Sequence, residues 1–148
     1  DSKSIIGEDS TSVTSLFPNV ALSAIRSKQK LNIYGIDYAT YDGSAIRDYI
    51  HISDIAIAHI KACSYINKKD FSIFNLGSGT GFSVLQIIAE FEKNLSINIK
   101  KKFMRRRLGD VVSSYSSISL AKKELNWKPS KTITDMCIDT YNWSKKIY

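Results

Sequence analysis

Phe71-Ser-Ile-Phe-Asn-Leu-Gly-Ser-Gly-Thr-Gly-Phe-Ser-Val-Leu-Gln86 is the segment with the clearest structural pattern in the chain. Residues 71–76 carry the strongest strand signal of the sequence, and three glycines follow within the next five positions. Ser83 then predicts the start of a helix, because Gln86 three residues later completes a capping box. The apolar residues that recur at helical spacing predict the buried face of this helix: Val84, Leu85, Ile88, Phe91 and Leu95.

The glycine loop between this strand and helix admits two interpretations. A strand, a Gly-x-Gly turn and a helix N-terminus can cradle the pyrophosphate of a dinucleotide. That fingerprint needs a third glycine where this chain has Phe82, and an acidic residue about 20 positions further on, where it has Lys100-Lys101-Lys102. We therefore predict a tight strand-to-helix turn that needs positive φ, without a cofactor-binding role.

Helix and strand signals are mixed on both sides of this segment, without a run of regular βαβ units. This mixture predicts a small α/β unit rather than a complete doubly wound sheet. The predicted elements are a helix from Pro18, a strand at 31–34, a helix capped by Ser53 or Asp54 and running to about Asn67, a strand with Ile97, Ile99 and Phe103 on one side, a helix capped by Ser117, and a last helix that begins at a Thr132–Asp135 capping box.

Length and composition predict one globular domain, residues 1–148. The chain is 43% hydrophobic and 24% charged, as is ordinary for a soluble protein. Cys63 and Cys137 fall in predicted helices and indicate buried thiols in a reducing, cytoplasmic setting. No apolar run approaches the ~20 residues of a membrane helix, and His51 and His59 lack further ligands at metal spacing. The sequence therefore favours neither a membrane segment nor a metal site.

Two Tyr-x-x-x-Lys patterns, Tyr65/Lys69 and Tyr141/Lys145, have the spacing of the acid–base pair of short-chain dehydrogenases. The chain has eight tyrosines and many lysines, so such matches arise by chance. Neither pattern follows a dinucleotide-binding unit. We interpret both as structural helix residues without a catalytic role.

The net charge of +7 includes two basic runs, Lys100-Lys101-Lys102 and Arg105-Arg106-Arg107. Such charge attracts nucleic acid, but no known nucleic-acid motif accompanies it here. Arginine also suits a phosphate clamp, because its planar fork pairs with phosphate oxygens. Arg47, at the entrance of a strand, is either a further ligand-binding arginine or the ion-pair partner of Asp48 or Asp54. The residues alone leave these alternatives open.

Four segments resemble, in order and spacing, the signature of UDP-glucose 4-epimerases, which are extended short-chain dehydrogenases. The resemblance begins at Ile6-Gly-Glu-Asp9 and covers essentially the whole chain. The most specific segment is Tyr34-Gly-Ile-Asp-Tyr-Ala-Thr-Tyr-Asp-Gly-Ser-Ala-Ile-Arg-Asp-Tyr-Ile-His-Ile-Ser-Asp54. The others are Asn75-Leu-Gly-Ser-Gly-Thr-Gly-Phe-Ser-Val-Leu85, Arg106-Arg-Leu-Gly-Asp110 and Glu124-Leu-Asn-Trp127.

The resemblance implies an NAD-dependent isomerase that interconverts UDP-glucose and UDP-galactose. NAD takes hydride from C4 of the hexose, the 4-keto intermediate turns about its pyrophosphate, and hydride returns to the other face. This chain is then the C-terminal substrate-binding domain of an α/β fold, with elements that complete the Rossmann domain. The N-terminal Rossmann half, which carries the NAD site and the catalytic residues, is expected upstream of this chain. The isolated chain is therefore expected to be inactive.

The resemblance also assigns binding roles residue by residue. Arg47 and Arg107 match arginines that bind the UDP diphosphate, and Asp110 matches a carboxylate that binds the uridine ribose. The remaining matches are Leu16, near the nucleotide, and the strand that packs on uracil, Asn32, Ile33 and Tyr34.

Two serines mark differences within the family. Ser15 stands where other members have a longer His or Asn, so we expect a phosphate hydrogen bond to be lost. Ser114 falls where some members have tyrosine. A small residue at that position is associated in the family with room for N-acetylated hexoses, which extends the expected substrates to UDP-N-acetylhexosamines.

The expected partners are a UDP-hexose and the N-terminal Rossmann half, and a homodimer of the intact enzyme is one arrangement that the resemblance allows. Neither nucleic acid nor a membrane is expected. The helix near 54–67 and the strand 71–76 are the best candidates to complete the cofactor domain, and their apolar surfaces predict self-association of the chain alone. Competing interpretations are another nucleotide-sugar enzyme of the superfamily, such as a uronate epimerase, a non-catalytic nucleotide-sugar binding module, and a basic nucleic-acid binder.

Overall fold

The computed structural model describes residues 2–8, 13–26, 28–66 and 71–148. Within them, helices and short strands are mixed, so the expected α/β class is confirmed. In chain order the elements are α1 (Leu16–Ile25), β1 (Leu31–Tyr34), β2 (Ile46–Asp48), α2 (Ile52–Tyr65), β3 (Gly81–Ser83), α3 (Val84–Leu95), β4 (Lys101–Met104), β5 (Ser113–Ser114), α4 (Ser119–Leu125) and α5 (Ile133–Ile147).

Two small sheets position the loops of the described chain. In the first, β1 and β4 are parallel, with Tyr34 opposite Met104. The basic segment that follows β4 therefore leaves the sheet beside the end of β1. In the second sheet, β2 pairs antiparallel with β3 and parallel with β5, where Arg47 lies opposite Ser114. The connection from β4 to β5 thus runs from the end of β1 to the edge of β2.

Two apolar clusters hold the helices in place. Phe91 of α3 is fully buried in the larger one, which joins α1, α3, α5 and β1. Burying such a side chain contributes roughly 1.5–3 kcal/mol relative to leaving it in water. In the smaller cluster, Trp127 lies between α2 and α4, and its indole nitrogen donates to the Asp54 carbonyl at 3.0 Å. The buried members of the smaller cluster are Ala58, Tyr65, Ile118, Ala121, Leu125 and Trp127.

Both capping boxes predicted from the sequence are confirmed. The Ser83 hydroxyl accepts from the Gln86 amide at 3.0 Å, and the Gln86 side chain accepts from the Ser83 amide at 3.0 Å. Thr132 and Asp135 form the same reciprocal pair at the start of α5. These caps need only residues three positions apart, which is why local sequence predicts them.

The cap predicted for α2 is wrong. The helix begins at Ile52 with His51 as its N-cap, and His51 Nδ1 accepts from the Ser53 amide at 3.1 Å. Asp54 is 1% exposed and instead accepts hydrogen bonds from a loop that is distant in the sequence. Its carboxylate accepts from the amide and hydroxyl of Ser130, at 3.1 and 2.8 Å, and from the Lys131 amide at 3.0 Å.

Two other helix starts are displaced from their predicted positions, one by two residues and the other by a single residue. Helix α1 begins at Leu16 rather than Pro18, with Ser15 as its N-cap. Helix α4 begins at Ser119, and the Ser117 hydroxyl lies 3.1 Å from the Ser119 hydroxyl rather than capping the helix.

The predicted strand 71–76 is also wrong, because no strand is present there. A strand exists only as one side of a hydrogen-bonded ladder, and no segment of the described chain pairs with it. Phe71 is 79% exposed and Ile73 is 70% exposed. Phe74 and Leu76 still pack against the smaller cluster. These two side chains therefore anchor a segment that has no partner strand within the described chain.

One burial prediction fails for a reason that periodicity does not capture. Cys63 is exposed on α2, whereas Cys137 is buried in the larger cluster. Burial, with the nearby Glu90 carboxylate, raises the pKa of the Cys137 thiol to about 12. The strand predicted to carry Ile97, Ile99 and Phe103 on one side begins only at Lys101, so Ile97 and Ile99 lie before β4. Of these side chains, Ile99 is buried and Phe103 is 52% exposed.

Candidate functional site

A cavity of about 640 Å³ lies between α1, the strands β1 and β2, and the turn that follows β4. We call it the cleft. The eighth predicted binding residue, Ser114, lies outside it with an exposed side chain on β5. The other seven all line the cleft: Leu16, Asn32, Ile33, Tyr34, Arg47, Arg107 and Asp110.

Arg47 and Asp110 form a loose ion pair across the cleft. Arg47 Nη2 lies 3.6 Å from Asp110 Oδ1, and Arg47 Nη1 donates to the Ile46 carbonyl at 2.7 Å. The side chains are 27% and 37% exposed, so the pair contributes at most about 1 kcal/mol to stability. The ion-pair partner of Arg47 is thus neither Asp48 nor Asp54, the two carboxylates that the sequence suggested. A weak pair can open when an anion enters the cleft.

Arg107 and Asp110 reach the cleft through one tight turn. The Asp110 amide donates to the Arg107 carbonyl at 3.3 Å, which makes these residues the first and last of a β-turn. Gly109, in the third position, has φ of +85°, as a type II turn requires. The Arg107 guanidinium carbon lies 3.9 Å from the centroid of the Tyr34 ring. The turn thus places a guanidinium and a carboxylate at the end of β1.

Asp48, next to Arg47, ties three parts of the chain together. One oxygen of its carboxylate accepts from the amide and hydroxyl of Ser78, at 2.7 and 2.6 Å. The other accepts from the amide and hydroxyl of Ser116, at 3.1 and 2.6 Å, and from the Gly79 amide at 3.4 Å. Burial raises the pKa of this carboxyl, but the hydrogen bonds from Ser116 and Ser78 outweigh it and hold the pKa below its usual value.

This arrangement explains why the glycine loop does not cradle a dinucleotide. The amides of Ser78 and Gly79 point to Asp48, so they are not free to hold a pyrophosphate. A Cβ on Gly77 would lie 2.1 Å from both the Asp48 carboxylate and the Ser116 hydroxyl. Gly79 has φ of +75°, which confirms the predicted positive φ in this loop. The described residues therefore offer no fitting site for a dinucleotide cofactor at this loop.

The basic runs are divided among different partners. The Arg106 guanidinium lies 4.2 Å from the Tyr38 ring centroid, and its Nε donates to Asp37 at 2.8 Å. This hydrogen bond lowers the pKa of the Asp37 carboxyl. Lys101 pairs with Glu92 at 2.6 Å. Lys101 and Arg106 are thus engaged with carboxylates of the chain itself.

A second cavity, of about 630 Å³, adjoins the cleft and shares Ser15, Leu16 and Tyr49 with it. Its wall also includes His51, whose Nε2 lies 3.1 Å from Asp139 on α5. The Ser15 hydroxyl donates to the Glu8 carboxylate at 2.8 Å. Burial raises the pKa of Tyr49 to about 12, so its hydroxyl stays protonated at neutral pH.

Two expected absences concern the described part of the chain alone. Its histidines, cysteines and carboxylates do not gather into a group of three or more that could hold a metal ion. Its helices include none that is long and apolar enough to cross a membrane.

Of the two Tyr-x-x-x-Lys patterns, Lys69 lies outside the described residues. The Tyr65 hydroxyl donates to Glu124 at 3.1 Å, and Tyr141 packs against the larger cluster.

The mixed α/β fold is that of an extended short-chain dehydrogenase, as its match to solved UDP-glucose 4-epimerases shows. The chain belongs to the family whose model is described as GDP-mannose 4,6 dehydratase, which matches residues 6–140. Its curated relatives at about 40% identity are UDP-glucose 4-epimerases, which confirms the resemblance found in the sequence.

The relatives are all longer than this chain. It is 42% identical to UDP-glucose 4-epimerase of Pasteurella multocida (strain Pm70) over 144 residues, which are 96% of this chain and 43% of the relative. It is 40% identical to UDP-glucose 4-epimerase uge1 of Schizosaccharomyces pombe, over 95% of this chain and 41% of the relative. The chain thus spans less than half the length of the curated relatives that it matches.

Solved structures give the same result. The UDP-glucose 4-epimerase of Bifidobacterium longum in complex with NAD+ and UDP superposes with a TM-score of 0.93 at 38% identity, over 99% of this chain and 44% of that one. The UDP-Glc/GlcNAc 4-epimerase of Campylobacter jejuni superposes with a TM-score of 0.80 at 33% identity, over 95% of this chain and 43% of that one.

Proposed function

We propose that this chain is the substrate-binding, C-terminal part of an NAD-dependent UDP-glucose 4-epimerase, and that residues 1–148 form one domain that binds UDP. The intact enzyme interconverts UDP-glucose and UDP-galactose. One observation carries this proposal: two arginines and a carboxylate, Arg47, Arg107 and Asp110, line one cavity beside strand β1.

Each of these groups has a chemical task in holding UDP. The guanidinium groups of Arg47 and Arg107 donate charge-assisted hydrogen bonds to the diphosphate oxygens. Asp110 exchanges its loose pair with Arg47 for hydrogen bonds from the ribose hydroxyls. Tyr34 and the backbone beside it contact the uracil base. A firm grip on UDP leaves the hexose free to turn, which the reaction needs if both faces of C4 are to be presented in turn.

We propose that NAD is bound by an N-terminal Rossmann half of the protein. The glycine loop of this chain does not fit a dinucleotide. The exposed apolar side chains of α2 and of the segment after it support a docking surface for that half. We call them the exposed apolar set: Ile52, Ile57, Ile60, Ile66, Phe71 and Ile73.

The substrate range extends to UDP-N-acetylhexosamines in this proposal. Ser114 lies opposite Arg47 in the sheet, and its small side chain is exposed. A related structure at 33% identity is named a UDP-Glc/GlcNAc 4-epimerase. Turnover of UDP-N-acetylglucosamine by the intact enzyme, compared with a Ser114→Tyr variant, tests this extension. No turnover by the enzyme with Ser114 would refute it.

The binding role is tested by calorimetric titration of UDP into the 148-residue chain. We expect Arg107→Ala and Arg47→Ala to weaken UDP binding by roughly tenfold or more, because each removes a charged hydrogen bond of about 1.5–3 kcal/mol. Arg105→Ala is the matched control, since Arg105 is exposed and does not line the cleft. Absence of UDP binding, or equal losses in all three variants, would contradict the proposal.

The catalytic role is tested by mixing the chain with NAD and an N-terminal Rossmann half from a UDP-glucose 4-epimerase. Conversion of UDP-galactose by the mixture, and by neither part alone, is the expected result. UDP binding without conversion would instead favour a non-catalytic nucleotide-sugar binding module.

A further inference from the structure

Three arginines in or next to the cleft differ in how they are held. Arg47 has a carboxylate partner, Asp110, at 3.6 Å, and Arg106 has Asp37 at 2.8 Å. Arg107 forms no ion pair with any carboxylate of the described chain, and its guanidinium carbon lies 3.9 Å from the centroid of Tyr34. The cation of Arg107 is thus held by an aromatic ring instead of an anion.

An aromatic ring restrains a guanidinium group without cancelling its charge. The negative face of the ring attracts the cation, and the contact lowers the number of conformations of a long, flexible side chain. A carboxylate partner would also restrain it, but an entering phosphate would then have to displace that carboxylate. Preorganising a charged group in this way reduces the entropy that ligand binding must otherwise remove.

The backbone on both sides reinforces this contact. Tyr34 ends β1, where it is paired with Met104 of β4, so its ring belongs to a sheet rather than to a loop. Arg107 begins the type II turn that Gly109 permits, and this turn fixes where the arginine stem leaves the chain. Both residues line the cleft.

We propose that Tyr34 is a positioning residue for diphosphate binding: its ring holds the Arg107 guanidinium in the cleft before ligand arrives, still carrying its full charge. This inference rests on the proposed function and adds to it a role for Tyr34 beyond contact with uracil. It also makes the two arginines unequal, since Arg107 meets the diphosphate without giving up an ion pair and Arg47 does not.

Inorganic pyrophosphate is the probe that separates this role from base contact, because it has no base. The change is Tyr34→Leu, with Tyr34→Phe as the variant that keeps the ring and Tyr41→Leu as a control at a tyrosine that is 67% exposed and outside the cleft. We expect Tyr34→Leu to weaken pyrophosphate binding by roughly threefold to tenfold, the size of a partly exposed cation–π contact. Tyr34→Phe and Tyr41→Leu should stay within about twofold of the unchanged chain.

A double-variant cycle completes the test. In an Arg107→Ala background, Tyr34→Leu should have no further effect on pyrophosphate binding, because the group that Tyr34 positions is gone. The inference is overturned if Tyr34→Leu leaves pyrophosphate affinity unchanged, or if it weakens binding equally with and without Arg107. A loss of affinity for uridine alone also overturns it, and assigns Tyr34 to the base. Failure of the unchanged chain to bind UDP is a separate result, which refutes the proposed function itself.

Discussion

The cleft and the exposed apolar set differ in whether the described chain itself supplies contacts for their side chains. In the cleft, Arg47 pairs with Asp110, and beside it Asp48 accepts hydrogen bonds from Ser78, Gly79 and Ser116. In the exposed apolar set, Ile60 is 69% exposed and Phe71 is 79% exposed, although both are large and apolar. The cleft is therefore built by this chain, whereas no described part of the chain covers the apolar set.

The largest expected effect concerns the exposed apolar set. We expect the chain at micromolar concentration to self-associate, and Ile60→Lys with Phe71→Ser to shift it towards the monomer without changing its affinity for UDP. Light scattering measures the mass, and Leu120→Lys, at a 51% exposed leucine of α4 outside the set, is the control. A monomeric unchanged chain would show that this surface needs no partner.

The anchor of α2 gives the next largest effect. Asp54→Ala removes a carboxylate that is 1% exposed and leaves three donors of Ser130 and Lys131 without their acceptor. We expect the free energy of unfolding to fall by about 3 kcal/mol, because buried donors to a charged group are left unpaired. Chemical denaturation measures this change. A loss below about 1 kcal/mol would mean that the inner side of α2 is held by apolar packing alone.

The hydrogen bonds of Asp48 link stability to the cleft. Asp48→Asn keeps the shape but loses the charge that draws in donors from Ser78 and Ser116, and we expect a cost of about 2 kcal/mol in the free energy of unfolding. Because Asp48 is next to Arg47, UDP binding should weaken as well. Glu124→Gln, which removes a carboxylate charge on α4 outside the cleft and keeps an oxygen that can accept from the Tyr65 hydroxyl, is a control for a general effect of lost charge on UDP affinity. Unchanged UDP affinity in Asp48→Asn would show that the hydrogen bonds of Asp48 do not contribute to UDP binding.

The stability of the chain at low pH tests the hydrogen bonds of Asp48 and Asp54. Burial raises the pKa values of Asp48 and Asp54, but hydrogen bonds outweigh it and hold both below the ordinary 3.8. The folded chain therefore binds fewer protons at these sites than the unfolded chain. Their contribution to stability is complete above that ordinary pKa and is lost as the pH falls through the lower folded values. The denaturant concentration at the unfolding midpoint should therefore decrease as the pH falls below about 4, and it should decrease less in Asp48→Asn. An equal dependence of the midpoint on pH in the unchanged chain and in Asp48→Asn would contradict this role of Asp48.

The smallest effect is expected at Gly109, which has φ of +85° and open space where a Cβ would project, with no neighbouring atom within 4 Å. Gly109→Ala should cost about 1 kcal/mol through backbone conformation alone and weaken UDP binding several-fold, because the turn carries both Arg107 and Asp110. Gly109→Asn tolerates the left-handed conformation better and should lose less. Equal losses for Ala and Asn would argue against control by φ.

Local rules predicted what depends on neighbouring residues. The capping boxes at Ser83 and Thr132 need a partner only three positions away, and both are present. The resemblance supplied Arg47, Arg107 and Asp110, which no local pattern distinguishes from other surface charges. The sequence had no signal for the bonds of Asp48, whose partners lie 30 and 68 positions away at Ser78 and Ser116.

Two of the wrong predictions share a physical cause. The strand signal in 71–76 reports a preference for extended chain, but it does not say whether a partner strand is available. Helical spacing likewise placed Cys63 on a helix without showing which side of α2 the chain covers. In both cases the missing information is the contact surface, and both positions lie in or beside the exposed apolar set.

A structure of this chain with UDP tests the central claim most directly. We predict diphosphate oxygens within hydrogen-bond distance of Arg107 and Arg47, a ribose hydroxyl on Asp110, and the base beside Tyr34. UDP bound at another surface, or a cleft that stays closed by the Arg47–Asp110 pair at saturating UDP, would contradict the account.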